Sequence, residues 1–110
     1  MTPIGIVTIA GGSGEEFEFL AYSWDADFAP VGAVYMITKC ISKPDGSLEH
    51  APIYVGQTND LSTHFDSHYK TECLARYGGN CVCVLTIGDE ELRLQVASDI
   101  TGAYQPVCND

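Results

Sequence analysis

Residues 53–61 read Ile53-Tyr54-Val55-Gly56-Gln57-Thr58-Asn59-Asp60-Leu61, and the fold turns on how this stretch is parsed. Ile53 to Gly56 is a short apolar run with a β-branched and aromatic bias, which suits a pleated strand. Asn59 or Asp60 then offers a side-chain oxygen to the first free N–H groups of a helix. Leu61, Phe65 and Tyr69 recur at four-residue spacing on one face of that helix, and Gly78-Gly79 stops it near Tyr77.

Upstream, Val31 to Thr38 reads as another apolar strand, and Lys43 to Pro52 as a connector around the turn Pro44-Asp45-Gly46. Before it, Ile4 to Ala10 and Glu16 to Trp24 flank Gly11-Gly12-Ser13-Gly14. The second run alternates Phe17, Phe19 and Ala21 against Glu18, Leu20 and Tyr22, so residues 1–30 predict a β-hairpin ahead of a domain spanning 31–110. Downstream, Cys81 to Ile87 has almost no polar residue and predicts a central strand. Asp89 is placed to cap a helix whose Leu92, Val96, Ile100 and Tyr104 form one stripe, ended by Pro106. One compact α/β domain is expected.

Composition sets outer bounds. In 110 residues, 45% hydrophobic and 10% aromatic content is enough for a packed core, which excludes a disordered chain. No apolar run approaches the roughly 20 residues of a membrane span, and Met1 to Ala10 lacks a basic leader region, so a cytoplasmic protein without an export signal is expected. Fifteen acidic residues against five basic ones give a net charge of −10. Nucleic-acid binders draw non-specific affinity from clustered Lys and Arg, whereas Lys39, Lys43, Lys70, Arg76 and Arg93 are scattered. Composition therefore opposes a DNA partner and favours a basic protein. Cys40, Cys73, Cys81, Cys83 and Cys108 are odd in number and are expected to be reduced, small buried hydrophobes.

Taken together, Ala33-Val34-Tyr35, Tyr54-Val55-Gly56, Gln57-Thr58, Leu61 and the closing pair Pro106 and Asn109 resemble the GIY-YIG nuclease superfamily from about Gly32 to Asn109. The resemblance implies a GIY-YIG-like fold: a small three-stranded, mainly antiparallel sheet flanked by helices, here with the N-terminal β-hairpin added. It also implies phosphodiester hydrolysis assisted by Mg²⁺ or Mn²⁺, with a glutamate on the second helix holding the metal. An arginine on the first helix and the two tyrosines would complete the site. Such a cation polarises the phosphoryl oxygen and lowers the pKa of bound water, and a fixed guanidinium supports the developing charge.

The two charged positions are gone. Eight residues past Gly56 stands His64, and nine before Pro106 stands Ala97. Asp99 and Gln95 lie about 200° around the helix from Ala97, and Glu90 lies roughly 10 Å along its axis, so none replaces the carboxylate. The resemblance thus implies a degenerate site of Tyr35, Tyr54, Gly56, His64, His68, Ala97 and Asn109, with no cofactor expected. The same residues have a structural reading, in which Tyr35 and Tyr54 pack on the sheet and Asn109 ties down the tail. His64 and His68, four apart on a helix, can share a transition metal, with Cys73 or the Cys81/Cys83 pair completing a tetrahedron. Alternatively they are half-exposed helix residues, and Cys81 and Cys83 pack in the core.

Three functions follow as expectations. The first is a catalytically inactive domain that binds a protein partner through an acidic surface. The second is a metal-dependent DNA endonuclease with a rearranged site, using Mg or Mn. The third is a small-ligand or metal-binding module. An exposed strand edge on the hairpin would also suit a homodimer.

Overall fold

The computed structural model describes residues 3–24, 26–64 and 71–109, and the side chains at 63, 64 and 71 stand outside that description. Among the described residues the elements run β1 (Gly5–Ala10), β2 (Glu16–Ser23), β3 (Ala33–Ser42), β4 (Leu48–Thr58), α1 (Leu61–His64), α2 (Thr71–Arg76), β5 (Cys81–Thr86) and α3 (Glu90–Tyr104). The α/β class is as expected. The strands form one antiparallel sheet in the order β1-β2-β5-β3-β4. The three expected strands and the added hairpin form one sheet of five strands, because β2 pairs with β5 from Leu20↔Val84 to Ser23↔Cys81. A strand as apolar as β5 needs partners along both edges and cover on both faces.

Side-chain alternation divides the core in two. Ile9, Phe17, Phe19, Ala21, Val34, Met36 and Cys83 point to the face covered by Val96 and Ile100 of α3. Tyr35, Ile37, Val82 and Val84 point to the other face, under Leu61 of α1, Leu74 of α2 and Cys108 of the tail. The helix expected from Asn59 to Tyr77 is thus seen as α1 and α2, with residues 65–70 outside the described set.

Strand β4 is longer than the run from Ile53 to Gly56, and β3 runs on to Ser42. Only the five residues 43–47 turn the chain, held by Lys43 N–H to Ser47 O and by Asp45 Oδ1 accepting from the Ser47 N–H and hydroxyl. Pro52 argues against a strand on composition alone. It is tolerated because β4 is an edge and because the register shifts beside it: Ile37 faces Tyr54 and Thr38 faces Pro52, leaving Ile53 as the bulged residue. The bulge sends Ile53 and Tyr54 to the same face.

The buried stripe of α3 is Arg93, Val96 and Ile100, while Leu92 and Tyr104 are exposed. Arg93 falls outside the expected stripe because its charge argues for the surface. Its stem packs inward and its guanidinium is satisfied there: Nε donates to Gln57 Oε1 at 2.9 Å, and Nη1 donates to Ile87 O and Gly88 O at 3.0 Å each. Gly32 is required beneath it, since a Cβ there would run into the guanidinium. Asp89 does occupy the cap position but makes no side-chain cap bond.

The glycine-rich turn after β1 is set by contact with α3 as well as by turn chemistry. Asp99 accepts from Ser13 N–H at 2.9 Å and from the Ser13 hydroxyl at 2.6 Å, and a side chain at Gly11 would collide with its carboxylate. The thiols also differ from expectation. Cys73 and Cys108 form a disulfide that fastens the tail to α2, while Cys40, Cys81 and Cys83 are free. Among the described residues, no helix is long and apolar enough to cross a membrane.

Replacing Arg93 by Met keeps the buried stem but strands the Ile87 and Gly88 carbonyls and Gln57. Each unsatisfied group costs about 1–3 kcal/mol, so urea unfolding of Arg93→Met should show a loss of about 3 kcal/mol or more.

Candidate functional site

The residues singled out from the sequence separate into two groups. Tyr35 and Tyr54 lie on adjacent strands and the same face, their rings stacked with centroids 5.8 Å apart. Gly56 is the cross-strand partner of Tyr35. A Cβ on Gly56 would sit 2.8 Å from the Tyr35 hydroxyl and 2.9 Å from Tyr54 Cε1, so the glycine of the Tyr-Val-Gly run is a seat for the phenol. Asn109 closes the group from the tail: its side chain accepts from Val55 N–H at 2.9 Å and donates to Val55 O at 2.7 Å. With Cys108 N–H on Ile53 O, it extends the ladder along the outer edge of β4.

Ala97 is not part of this group. It packs against the core cluster on the α3 side, so the sheet lies between it and the tyrosines. The backbone of His64 ends α1, but its side chain is outside the described residues, as is all of His68. The metal pairing considered for these two histidines therefore falls outside the described residues. Cys73, one of the thiols considered for it, is held in the disulfide with Cys108.

A polar pocket of about 300 Å³ lies where β4 ends, lined by Gln57, Thr58, Asn59, Glu90 and Arg93. Its cation is already engaged by three acceptors, and Glu90 is the one carboxylate among these lining residues. A single exposed carboxylate opposite a committed guanidinium does not make a cation cage of the kind that phosphodiester hydrolysis uses.

Sequence reasoning missed a second cluster at the far end of the sheet. Cys40, His50 and Cys81 come from three adjacent strands, and one ligand atom from each lies within 4.8 Å of the others. Cys40 and His50 are direct cross-strand partners, with Sγ 3.7 Å from Nε2. On the other side of the imidazole, Nδ1 is 2.8 Å from Thr38 Oγ1 and 3.9 Å from Cys83 Sγ. Burial holds the His50 imidazole below its usual pKa. Burial pushes the Cys81 thiol up to about 11, with the adjoining Cys40 thiol adding to the shift, and burial pushes Cys83 up to about 12. The available signal was the symmetry of positions 40 and 50 about the Asp45 turn, which becomes visible only once β4 is begun at Leu48.

No protein-family model, curated protein or solved structure matches the chain.

The seat for the Tyr35 phenol gives a direct test. Gly56→Ala forces a methyl against a ring that is almost wholly buried, and such overpacking costs about 1–3 kcal/mol. For a domain near this size each kcal/mol lowers Tm by roughly 4–8 °C. An unchanged melting curve would show that the glycine is not needed there.

Proposed function

We propose that this chain is a catalytically inactive GIY-YIG nuclease-like domain that acts as a protein-interaction module, docking a basic protein on an acidic, partly apolar face. The observation that carries the docking face is the uncovered side of the N-terminal hairpin. Ile6 and Leu20 are cross-strand partners pointing away from α3, and they are 67% and 42% exposed. Ile4 adds to the patch, and Glu16 and Glu18 continue the same face of β2. Between β2 and β5 a groove of about 380 Å³ includes Ile6, Glu18, Leu20, Tyr22 and Val84 in its lining.

Exposed apolar side chains with a charged rim are the usual composition of a protein-docking surface. The rim here is acidic in a chain of net charge −10, so it steers a partner rich in Lys and Arg. Inactivity rests on the chemistry of the substituted positions: Ala97 carries no ligand atom, and it packs on the side of the sheet opposite Tyr35 and Tyr54.

Two assays test the two halves of this reading. Plasmid and branched DNA with Mg²⁺ or Mn²⁺ should remain intact with the wild type and with Ala97→Glu/His64→Arg. Cleavage that Tyr35→Phe abolishes would establish the endonuclease with a rearranged site instead. For docking, proteins captured by the wild type should be basic and should be released between 50 and 300 mM salt, a span on the order of the change in screening length that weakens exposed charge pairs. Ile6→Glu/Leu20→Glu should weaken their binding about 10- to 100-fold, from the apolar area lost. Equal binding by that variant would place the partner elsewhere. A dimer in light scattering that the same variant dissolves would identify a second copy of this chain as the occupant.

A further inference from the structure

We propose that Cys40 Sγ, His50 Nε2 and Cys81 Sγ form a binding site for a borderline-soft divalent cation, zinc first, with the fourth coordination position open to water. The proposal is independent of the docking face, which lies on the other face of the sheet from Cys81 and Cys83 and is centred on β1 and β2.

The geometry is that of a site already gathered. The three ligand atoms lie within 4.8 Å of one another, and the Cys40 to His50 separation of 3.7 Å is close to the edge of a tetrahedron. Zn–S bonds of about 2.3 Å and Zn–N bonds of about 2.0 Å require ligand atoms about 3.5–3.8 Å apart, so the Cys40 to His50 pair already fits and Cys81, within 4.8 Å of both, lies near that spacing. Two thiolates and an imidazole suit zinc, whereas Mg²⁺ and Ca²⁺ call for oxygen ligands.

The surroundings orient each ligand. In the Nδ1–H tautomer, His50 donates to Thr38 Oγ1 at 2.8 Å and turns the lone pair of Nε2 toward Cys40. Metal-bound histidines commonly have such an outer partner, which fixes both tautomer and ring plane. Cys40 is held through its backbone: Asn80 Oδ1 accepts its N–H at 2.7 Å, and Asn80 Nδ2 donates to its carbonyl at 3.2 Å. Asn80 is the residue before Cys81, so the same contact sets the separation of the two thiols. Cys40 and His50 are half-exposed, which leaves a route for the ion and room for a water. On loading, Zn²⁺ replaces the two thiol protons, which pass to solvent, and no oxidant or reductant is involved.

The test uses the full chain purified without chelators under mild reductant. Elemental analysis should find about one zinc per chain, and Co²⁺ exchanged into the site should give thiolate-to-metal charge-transfer bands and tetrahedral d–d absorption. Competition titrations of Zn²⁺ should weaken at least about 100-fold in Cys40→Ser, His50→Gln and Cys81→Ser. Thr38→Val, which removes the outer partner alone, should cost about 10- to 100-fold. Cys83→Ala should stay within a few-fold of wild type. Circular dichroism will show whether each variant keeps its sheet, and where one does not, the wild-type cobalt spectrum decides. Absence of zinc together with absence of cobalt thiolate bands overturns the proposal. So does stoichiometric zinc retained by a Cys81→Ser/His50→Gln chain. A Cys40–Cys81 disulfide, found by mass spectrometry in place of metal under these conditions, would equally overturn it.

Discussion

The guanidinium of Arg93 is the interaction on which the arrangement of the layers depends. It joins the end of β4 through Gln57 to the carbonyls of Ile87 and Gly88, which carry the chain from β5 into α3. Those carbonyls are the last main-chain acceptors before the helix, and the guanidinium has donors enough to satisfy both through Nη1 and to reach Gln57 through Nε as well. With the entry to α3 fixed there, Val96 and Ile100 fall on the apolar cluster one and two turns later. Asp99 then reaches Ser13 and secures the turn of the N-terminal hairpin. A single buried cation thus orders the helix and, through the helix, the hairpin at the far edge of the sheet.

What the sequence disclosed and what it concealed follow the same physical division. Strands with clean alternation or unbroken apolar runs, such as β2 and β5, were legible because their burial is written in side-chain polarity. The beginning of β4 was not, because Glu49, His50 and Pro52 suit an exposed edge and a bulge, which resemble a loop when read as composition. The stripe of α3 starts one residue away from the expected position, since a buried arginine counts as polar until its acceptors are known. The disulfide was hidden for a related reason. Its cysteines are 35 residues apart, and nothing local marks either as paired.

The site residues show the same limit more sharply. Tyr35, Tyr54, Gly56 and Asn109 were legible as a group, and the structure does gather them. Each nonetheless has a complete structural role, for the tyrosines stack, the glycine seats a phenol, and the asparagine continues a ladder. On the proposed inactive reading, these residues would persist for packing while His64 and Ala97 stand where that reading expects charged groups. Catalysis by metal ion needs the carboxylate and the guanidinium, whereas the fold needs the tyrosines and the glycine.

The cluster of Cys40, His50 and Cys81 sits where the sheet has least support. Pairing of β3 with β5 ends at Thr38 opposite Cys81, and the apolar layer under α3 reaches only Met36 and Val55. Beyond that line β3 and β4 continue as a two-stranded arm with Ile41 and Leu48 exposed. Such a ribbon alone is marginal in water. The Asn80 clamp on Cys40 is the first compensation, replacing ladder bonds that β5 no longer supplies. A cation bridging Cys40 of β3, His50 of β4 and Cys81 of β5 would be the second, joining three strands at the line where hydrogen bonding and apolar cover both give out. Hydrophobic residues in place of Cys40 and His50 would be partly exposed and would give the arm no such bridge to the buried Cys81.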